Sequence, residues 1–322
     1  MCGLVLMGII SKIDYRIYKK FDKVAYFGSI MILAAVAIPG LGWSAGGATR
    51  WINLKFTTFQ PSEIAKIALV IFYATYLTNN RDKLGNLWEG FFRPFLFLVP
   101  IIAILILVQS HLSATILIIL IIAVMMIMAG SKLRYFITFG SAAAIGGGAL
   151  LYILAEVFDK GKYRLARLTA FLNPWDDPTD TGWQIIQSLY AIGSGGLFGV
   201  GLGNSTQKYL YLPEPQNDFI FAVIAEELGF VGCIIVIALF AIFVWRGVLI
   251  SMKAPDMFGS LLATGITSII GLQALINIAV VTSSMPNTGM PLPFFSYGGT
   301  SLLILLCSVG VLLNISRQTK KI

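Results

Sequence analysis

Long apolar runs separated by short polar connections organise the whole chain. Eight runs approach or exceed the length at which a helix of about 20 residues crosses roughly 30 Å of hydrocarbon, and a shorter apolar piece, Cys2 to Ile10, precedes them. The predicted spans are Val24 to Leu41, Ile64 to Leu77, Phe95 to Val108, Leu112 to Gly130, Phe136 to Phe158, Phe219 to Trp245, Phe258 to Thr282 and Gly298 to Ile315. The pattern predicts an all-α, polytopic membrane bundle of eight full spans after an N-terminal fragment.

Composition excludes a soluble globular domain. Hydrophobic residues make up 57% of the chain, charged residues 12%, and the mean hydropathy is +0.84. We find no repeat or soluble segment, so residues 1–322 are predicted to form a single membrane domain whose longest non-apolar stretch is a loop at 160–217. The three cysteines lack paired spacing and are interpreted as small buried hydrophobes. The lone His111 is interpreted as a hydrogen-bonded turn residue rather than a metal ligand.

Positive charge predicts the orientation of the spans. Short loops rich in Lys and Arg favour the cytoplasm, and alternating the spans puts most of the 23 cations on one side. The opposite, outer side receives the 160–217 loop and a smaller set of cations that includes Arg50, Lys66, Arg164, Arg167 and Lys208. Cations on that side indicate an anionic ligand there. The net charge of +8 is otherwise explained by membrane topology, and no nucleic-acid partner is implied.

Two acidic positions stand at and below the outer mouth of one span. Asp218 directly precedes the span that begins at Phe219, and this place suits either a general base or a helix N-cap. Glu226 follows about two helical turns deeper, where a carboxylate is costly and is usually functional or paired. Helical spacing turns Glu226, more than Glu227, toward the side of Asp218. A structural pair with Lys or backbone donors is the alternative for Glu226.

A second group of candidates flanks the start of an earlier span. Glu63 and Lys66 have i, i+3 spacing and therefore share one helix face. They fit either a local ion pair or, with Arg50 and Trp51, the lining of an outer cavity. In the second interpretation the cations bind phosphate oxygens and Trp51 packs on sugar or isoprenoid. Trp51 equally fits an interfacial aromatic belt.

Six sequence blocks occur in a fixed order and carry a family resemblance. They are Gly47 to Ile52, Phe59 to Lys66, Gln109 to Thr115, Asn173 to Gln184, Leu212 to Gly229 and Pro291 to Ser301. Together they resemble the SEDS family (shape, elongation, division and sporulation), which includes FtsW, RodA and SpoVE. The stretches Gln207 to Pro215 and Gly247 to Asp256 are more similar to the FtsW and SpoVE branch than to RodA. Family members have ten spans, so the resemblance implies that the first span is missing here.

The resemblance implies a peptidoglycan glycosyltransferase that polymerises lipid II on the outer face of the bacterial cytoplasmic membrane. Its implied partners are a class B penicillin-binding protein and other divisome or elongasome proteins. Asp218 matches the catalytic aspartate of the family. The expected substrate-binding residues are Arg50, Trp51, Glu63, Lys66, Arg164, Arg167, Lys208, Glu214, Glu226 and Ser296. A divalent cation, Mg²⁺ or Mn²⁺, near Asp218 would suit pyrophosphate chemistry, although no ligand cluster in the sequence demands one.

Two other functions compete with the enzyme. A lipid II translocase would need a polar path through the bilayer, whereas the charges here gather outside and the cytoplasmic halves of the spans are nearly uncharged. A non-catalytic membrane scaffold would keep its function after Asp218→Ala. The proline- and glycine-broken segment Pro286 to Ser301 fits either the floor or gate of a substrate cavity or a re-entrant packing element.

Overall fold

The described part of the chain consists of helices, their connections and a small antiparallel sheet. The computed structural model describes residues 1–45, 48–53, 58–157, 171–178, 182–210, 212 and 215–319. The α-helical elements are α1 (Cys2–Ile10), α2 (Asp22–Ala34), α3 (Pro61–Asn79), α4 (Trp88–Val108), α5 (Leu112–Ala129), α6 (Leu133–Val157), α7 (Trp183–Gly195), α8 (Gln207–Leu210), α9 (Ile220–Lys253), α10 (Met257–Val281) and α11 (Gly299–Gln318). The predicted helical membrane fold is thereby confirmed.

Five of the described helices are long and apolar enough to cross a membrane, namely α4, α5, α9, α10 and α11. Two further predicted spans correspond to α2, which has 13 residues, and α3, whose first turns carry Glu63 and Lys66. The predicted span Phe136 to Phe158 corresponds to α6, and Phe158 lies outside the described residues. The count of eight spans therefore stays a prediction, whereas the multi-pass character is confirmed.

The chain divides into two compact units. Unit 1 comprises Met1–Phe136, Phe243–Leu272 and Gly298–Ile322, and unit 2 comprises Ile137–Ile242 and Gln273–Tyr297. Unit 1 contains the small sheet and helices α1 to α5. Unit 2 contains α7, α8, the beginning of α9 and the irregular segment that follows α10. The single membrane domain expected from the sequence stays a prediction.

A three-stranded antiparallel sheet, which the sequence analysis did not anticipate, lies between α2 and α3. Its strands are β1 (Gly42–Ala45), β2 (Ala48–Asn53) and β3 (Thr58–Phe59), in the order β1-β2-β3. Trp43 of β1 faces Trp51 of β2, and Ile52 of β2 faces Phe59 of β3. The strands are short and contain few alternating apolar positions, so the membrane-span pattern on both sides hid them.

Helix α9 is broken at Gly229, and the break matters for the site that follows. Gly229 has φ 65° and ψ −165°, which is outside the helical region, so residues 220–228 and 230–253 form two helical segments. The first segment begins two residues after Asp218. The break frees backbone groups at residues 226, 227, 230 and 231, and these pair with residues 196–201 instead.

Candidate functional site

Asp218 lies in the turn of residues 215–219 that leads into α9, within unit 2. The helix begins at Ile220, so Asp218 stands two residues before the first helical position. Its side chain is half-buried. Three features of unit 2 converge on this turn: an asparagine of α10, a serine of the segment after α10, and a glycine of the same segment.

Asn277 of α10 fixes the backbone at Asp218. Its side-chain amide Nδ2 donates to the carbonyl oxygen of Asp218 at 2.7 Å and to that of Met290 at 2.6 Å. The asparagine is only 1% exposed. One buried amide therefore joins the turn that carries Asp218 to the irregular segment after α10.

Ser296 makes a second connection between the same two segments. Its hydroxyl donates to the carbonyl oxygen of Asn217 at 2.5 Å and accepts from the backbone N–H of Leu292 at 2.7 Å. The N–H of Tyr297 also donates to the carbonyl oxygen of Gln216 at 2.7 Å. The backbone on both sides of Asp218 is thus held, and the predicted substrate-binding role of Ser296 stays a prediction.

Gly289 faces the carboxylate of Asp218. A Cβ atom added at Gly289 would lie 3.1 Å from Asp218 Oδ2, and the residue has φ 59°, where side chains are disfavoured. A side chain at this position would therefore crowd the carboxylate. Sequence reasoning missed both Asn277 and Gly289. Asn277, a polar residue inside the apolar run of α10, was the one detectable signal.

Glu226 and Glu227 both bind the segment before the turn. Glu226, 1% exposed, accepts hydrogen bonds from the Ser205 hydroxyl at 2.5 Å and from the Thr206 N–H and hydroxyl at 3.0 Å each. Lys208 Nζ donates to Glu227 Oε1 at 2.5 Å, and this hydrogen bond raises the pKa of Lys208. Glu226 thus meets hydroxyl and backbone donors, and Glu227 meets Lys208. The substrate-binding roles expected for Glu226 and Lys208 stay predictions. The angular argument from Asp218 assumed a continuous helix, whereas α9 starts at Ile220.

In unit 1, Glu63 and Lys66 form an ion pair, which is one of the two alternatives that their spacing left open. Their side chains lie on the first turns of α3, which begins at Pro61, and Nζ of Lys66 is 2.8 Å from Oε1 of Glu63. The side chains are 7% and 3% exposed, so the pair is buried. Removing one partner of a buried ion pair strongly destabilises the protein, because the other charge is left buried and uncompensated. Binding of substrate by these residues stays a prediction.

Arg50 and His111 lie close to that pair. Arg50, on β2, donates to the carbonyl oxygens of Gln109 at 3.3 Å and Ser110 at 2.8 Å, which fixes the turn between α4 and α5. Burial lowers the pKa of His111 to about 3, with further lowering by the nearby charges of Arg50 and Lys66. The histidine is therefore neutral at physiological pH. Its Nδ1 atom has no hydrogen-bond partner in the described part of the chain, so the expected hydrogen-bonded turn residue is only partly realised.

The remaining predicted residues are less well defined by contacts. Trp51 is half-buried on β2 opposite Trp43. Arg164, Arg167 and Glu214 lie outside the described residues. Within the described ranges, no group of three or more His, Cys, Asp or Glu side chains is arranged to hold a metal ion. A cation at Asp218 would therefore need water or substrate oxygens as most of its ligands.

Curated relatives match the chain over nearly its whole length. The probable peptidoglycan glycosyltransferase FtsW of Geobacter sp. (strain M18) is 43% identical over 99% of this chain and 85% of its own. Stage V sporulation protein E of Bacillus subtilis (strain 168) is 42% identical over the same shares. The predicted likeness to the FtsW and SpoVE branch is confirmed.

Solved structures share the fold. One, described as "Structural coordination of polymerization and crosslinking by a peptidoglycan synthase complex", has a TM-score of 0.83 and 27% identity, covering 99% of this chain and 88% of that one. The rod shape determining protein RodA of Thermus thermophilus has a TM-score of 0.70 and 26% identity, covering 99% and 85%. The family profile of cell cycle proteins matches residues 1–321. The sequence blocks, the fold and these relatives agree, and the chain belongs to the FtsW/RodA/SpoVE (SEDS) family of cell cycle proteins.

Proposed function

We propose that this chain is a peptidoglycan glycosyltransferase that polymerises lipid II, with Asp218 as the general base. The enzyme class is supported by the name of its FtsW relative, a probable peptidoglycan glycosyltransferase. The solved structure that shares the fold comes from a peptidoglycan synthase complex described as coordinating polymerization and crosslinking, which also supports a polymerase. The proposed location is the outer face of the bacterial cytoplasmic membrane, as the charge pattern predicts.

The observation that carries the proposal is the setting of Asp218. Its backbone is held by Asn277 and, through Asn217, by Ser296, while its carboxylate faces the side-chain-free Gly289. A base must stand within hydrogen-bond reach of the hydroxyl that it deprotonates. A fixed backbone supplies such a position, because it sets where the carboxylate stands and therefore which hydroxyl it can reach.

The proposed reaction joins two lipid-linked sugars. The acceptor hydroxyl oxygen forms a bond to the anomeric carbon of the donor, and the bond between that carbon and the pyrophosphate oxygen breaks. The hydroxyl proton passes to Asp218, and the polyprenyl pyrophosphate leaves with the electron pair. Positive groups stabilise the leaving charge. We assign this role to cations of the outer loop, among them Arg164 and Arg167.

A divalent cation remains part of the proposal. Mg²⁺ commonly binds one or two carboxylates together with substrate phosphates and waters, and Asp218 offers one carboxylate for such a site. Chelation with EDTA followed by return of Mg²⁺ or Mn²⁺ tests this. Polymerisation that is lost in EDTA and restored by the metal supports a bound cation, and full activity in EDTA contradicts it.

The proposed partner is a class B penicillin-binding protein, within the assemblies for division, elongation or sporulation. A transpeptidase partner suits a polymerase because new glycan strands must be crosslinked as they form. Co-purification of the chain with candidate transpeptidases tests this. A stable complex that stimulates polymerisation supports the proposal, and polymerisation unaffected by every candidate contradicts it.

The experiment that tests the function follows polymerisation of labelled lipid II by purified, reconstituted protein with its partner. Asp218→Asn is compared with wild type and with Asp82→Asn, which removes an exposed carboxylate. We expect glycan ladders from wild type and Asp82→Asn only. If none of the proteins polymerises but all move lipid II across liposomes, the translocase replaces the enzyme. Intact recruitment of division proteins by an inactive wild type would instead favour the scaffold.

A further inference from the structure

The segment between α7 and α8 exposes large apolar side chains although the sequence places it in an extramembrane loop. We call residues 196–203 the glycine loop, because glycines at 196, 199, 201 and 203 alternate with bulkier residues. The exposed fractions of those residues are 65% for Leu197, 81% for Phe198, 43% for Val200 and 77% for Leu202. Exposed apolar surface of this kind marks an interaction site.

The backbone of the glycine loop is held by the break in α9. The N–H groups of Val200 and Gly201 donate to the carbonyl oxygens of Glu226 and Glu227, at 2.9 and 3.1 Å. In return, the N–H groups of residues 230 and 231 donate to the carbonyl oxygens of residues 196 and 197, at 2.9 and 3.1 Å. The loop thus takes up the hydrogen bonds that the helix loses.

Close backbone contact makes this arrangement possible. A Cβ added at Gly199 would collide with the carbonyl oxygen of Glu227, and one added at Gly229 would collide with the backbone N of Gly199. Both glycines have positive φ, 82° and 65°. Only residues without side chains fit on both sides of this contact, so the loop backbone packs directly on the helix and its apolar side chains point away.

The level of the break along α9 places the loop at bilayer depth. Arg246 is the first charged residue that follows Glu227 along the helix, and Gly229 precedes it by 17 positions. At about 1.5 Å per residue this distance is roughly 25 Å, which falls inside a hydrocarbon core of about 30 Å. The bonded loop therefore lies near one edge of the core, on the Asp218 side.

The neighbouring surface of α9 faces the same surroundings. Phe230, Val231, Ile234 and Ile235, which follow the break, are 42 to 59% exposed and apolar. On a multi-pass membrane protein such a helix surface contacts lipid, and the glycine loop continues it. Irregular backbone is tolerated at this depth only where its polar groups are satisfied. The hydrogen bonds to α9 satisfy the N–H groups of residues 200 and 201 and the carbonyl oxygens of residues 196 and 197.

We propose that the glycine loop is inserted into the bilayer, with Phe198, Leu197 and Leu202 in contact with the acyl chains of the leaflet on the Asp218 side. Lipid is the occupant that fits, because the loop is continuous with the lipid-facing surface of α9 and lies at its level. The insertion fixes the height of the first segment of α9 relative to the membrane surface. If the proposed function holds, it also fixes the height of Asp218 relative to lipid-linked substrate.

Depth-dependent fluorescence quenching tests the insertion without relying on activity. The native cysteines are removed (Cys2→Ser, Cys233→Ala, Cys307→Ala), and an NBD label is attached to Phe198→Cys or, in a second variant, Leu202→Cys. Ile235→Cys is the matched lipid-facing control, and Asp176→Cys, at an exposed charged residue of the segment before α7, is the water-facing control. Each labelled full-length protein is reconstituted in phosphatidylcholine and phosphatidylglycerol vesicles with brominated or ordinary acyl chains.

We expect labels at Phe198 and Leu202 to lose intensity in brominated lipid to the degree seen at Ile235, with blue-shifted emission and little quenching by iodide. Quenching by iodide alone, as at Asp176, would overturn the proposal in favour of a loop in water. Protection from both quenchers would also overturn it, because another protein surface would then cover the loop. Two label positions keep the result decisive if one variant fails to fold.

Discussion

Asn277→Ala is the perturbation that isolates how the protein positions Asp218. The substitution removes the one amide that donates to both the Asp218 and Met290 carbonyl oxygens. A buried acceptor left without its donor costs about 1–3 kcal/mol, so we expect the loss of both bonds to lower the free energy of unfolding by about 2–6 kcal/mol. The turn also gains freedom. A displacement of about 1 Å at a catalytic group can cost on the order of 10²-fold in rate.

Gln273→Ala is the matched control for this substitution. Gln273 lies one turn earlier on α10 and donates to the carbonyl oxygen of Pro291 at 3.0 Å, in the same irregular segment as Met290. It therefore loosens that segment without releasing the Asp218 carbonyl. We expect this variant to lose some stability and to keep most of its polymerisation rate.

The assay combines thermal unfolding in detergent with initial rates of lipid II polymerisation at saturating substrate. Asn277→Ala should lower the maximal rate far more than Gln273→Ala at a temperature where both variants are folded. Equal rates in the two variants would refute the positioning argument and leave Asn277 as a packing residue. Asn277→Asp, which places carboxylate oxygens against two carbonyl oxygens, should be at least as inactive as Asn277→Ala.

Three further outcomes are expected from other contacts. Gly289→Ala adds a Cβ at 3.1 Å from Asp218 Oδ2 and should lower the polymerisation rate. The positive φ at this position should also lower the free energy of unfolding of the variant by about 1–2 kcal/mol. An unchanged rate would show that crowding of the carboxylate does not affect the reaction. Ser205→Ala removes a donor to buried Glu226 and should destabilise the protein by about 1.5–3 kcal/mol, measured by thermal unfolding, and an unchanged melting temperature would contradict this. The single histidine gives one set of ring resonances. Because the folded pKa of His111 is lowered to about 3 from 6.5, its contribution to stability is complete above pH 6.5 and is lost as pH falls toward 3. NMR should show a neutral ring from pH 8 to 5, and titration near pH 6.5 would contradict the burial argument.

The large features of this protein were predictable from hydrophobic pattern and sequence blocks. Helices α4, α5, α9, α10 and α11 coincide with long apolar runs because a membrane span must satisfy its backbone internally, which leaves a strong compositional signal. The Glu63–Lys66 pair was considered from its i, i+3 spacing and is formed. Local spacing thus predicts contacts within one helix.

Contacts between distant segments left no comparable signal. The amide of Asn277 meets Asp218 across 59 positions of sequence, and the two hydroxyls that bind Glu226 come from a loop about 20 positions earlier. The break at Gly229 was hidden because a glycine within an apolar run also fits an unbroken helix. The small sheet was hidden for a related reason, since its short strands lie between two apolar runs. Tertiary hydrogen bonds decide each of these features, and a single sequence does not encode them in a local pattern.

The rate of lipid II polymerisation by Asp218→Asn, measured beside wild type and Asp82→Asn with matched thermal unfolding, tests the central claim most directly. General acid and base groups contribute about 10² to 10⁴ in rate, so we predict a loss of at least about 10²-fold for Asp218→Asn alone. A folded Asp218→Asn protein that polymerises lipid II as fast as wild type would contradict the assignment of Asp218 as the base.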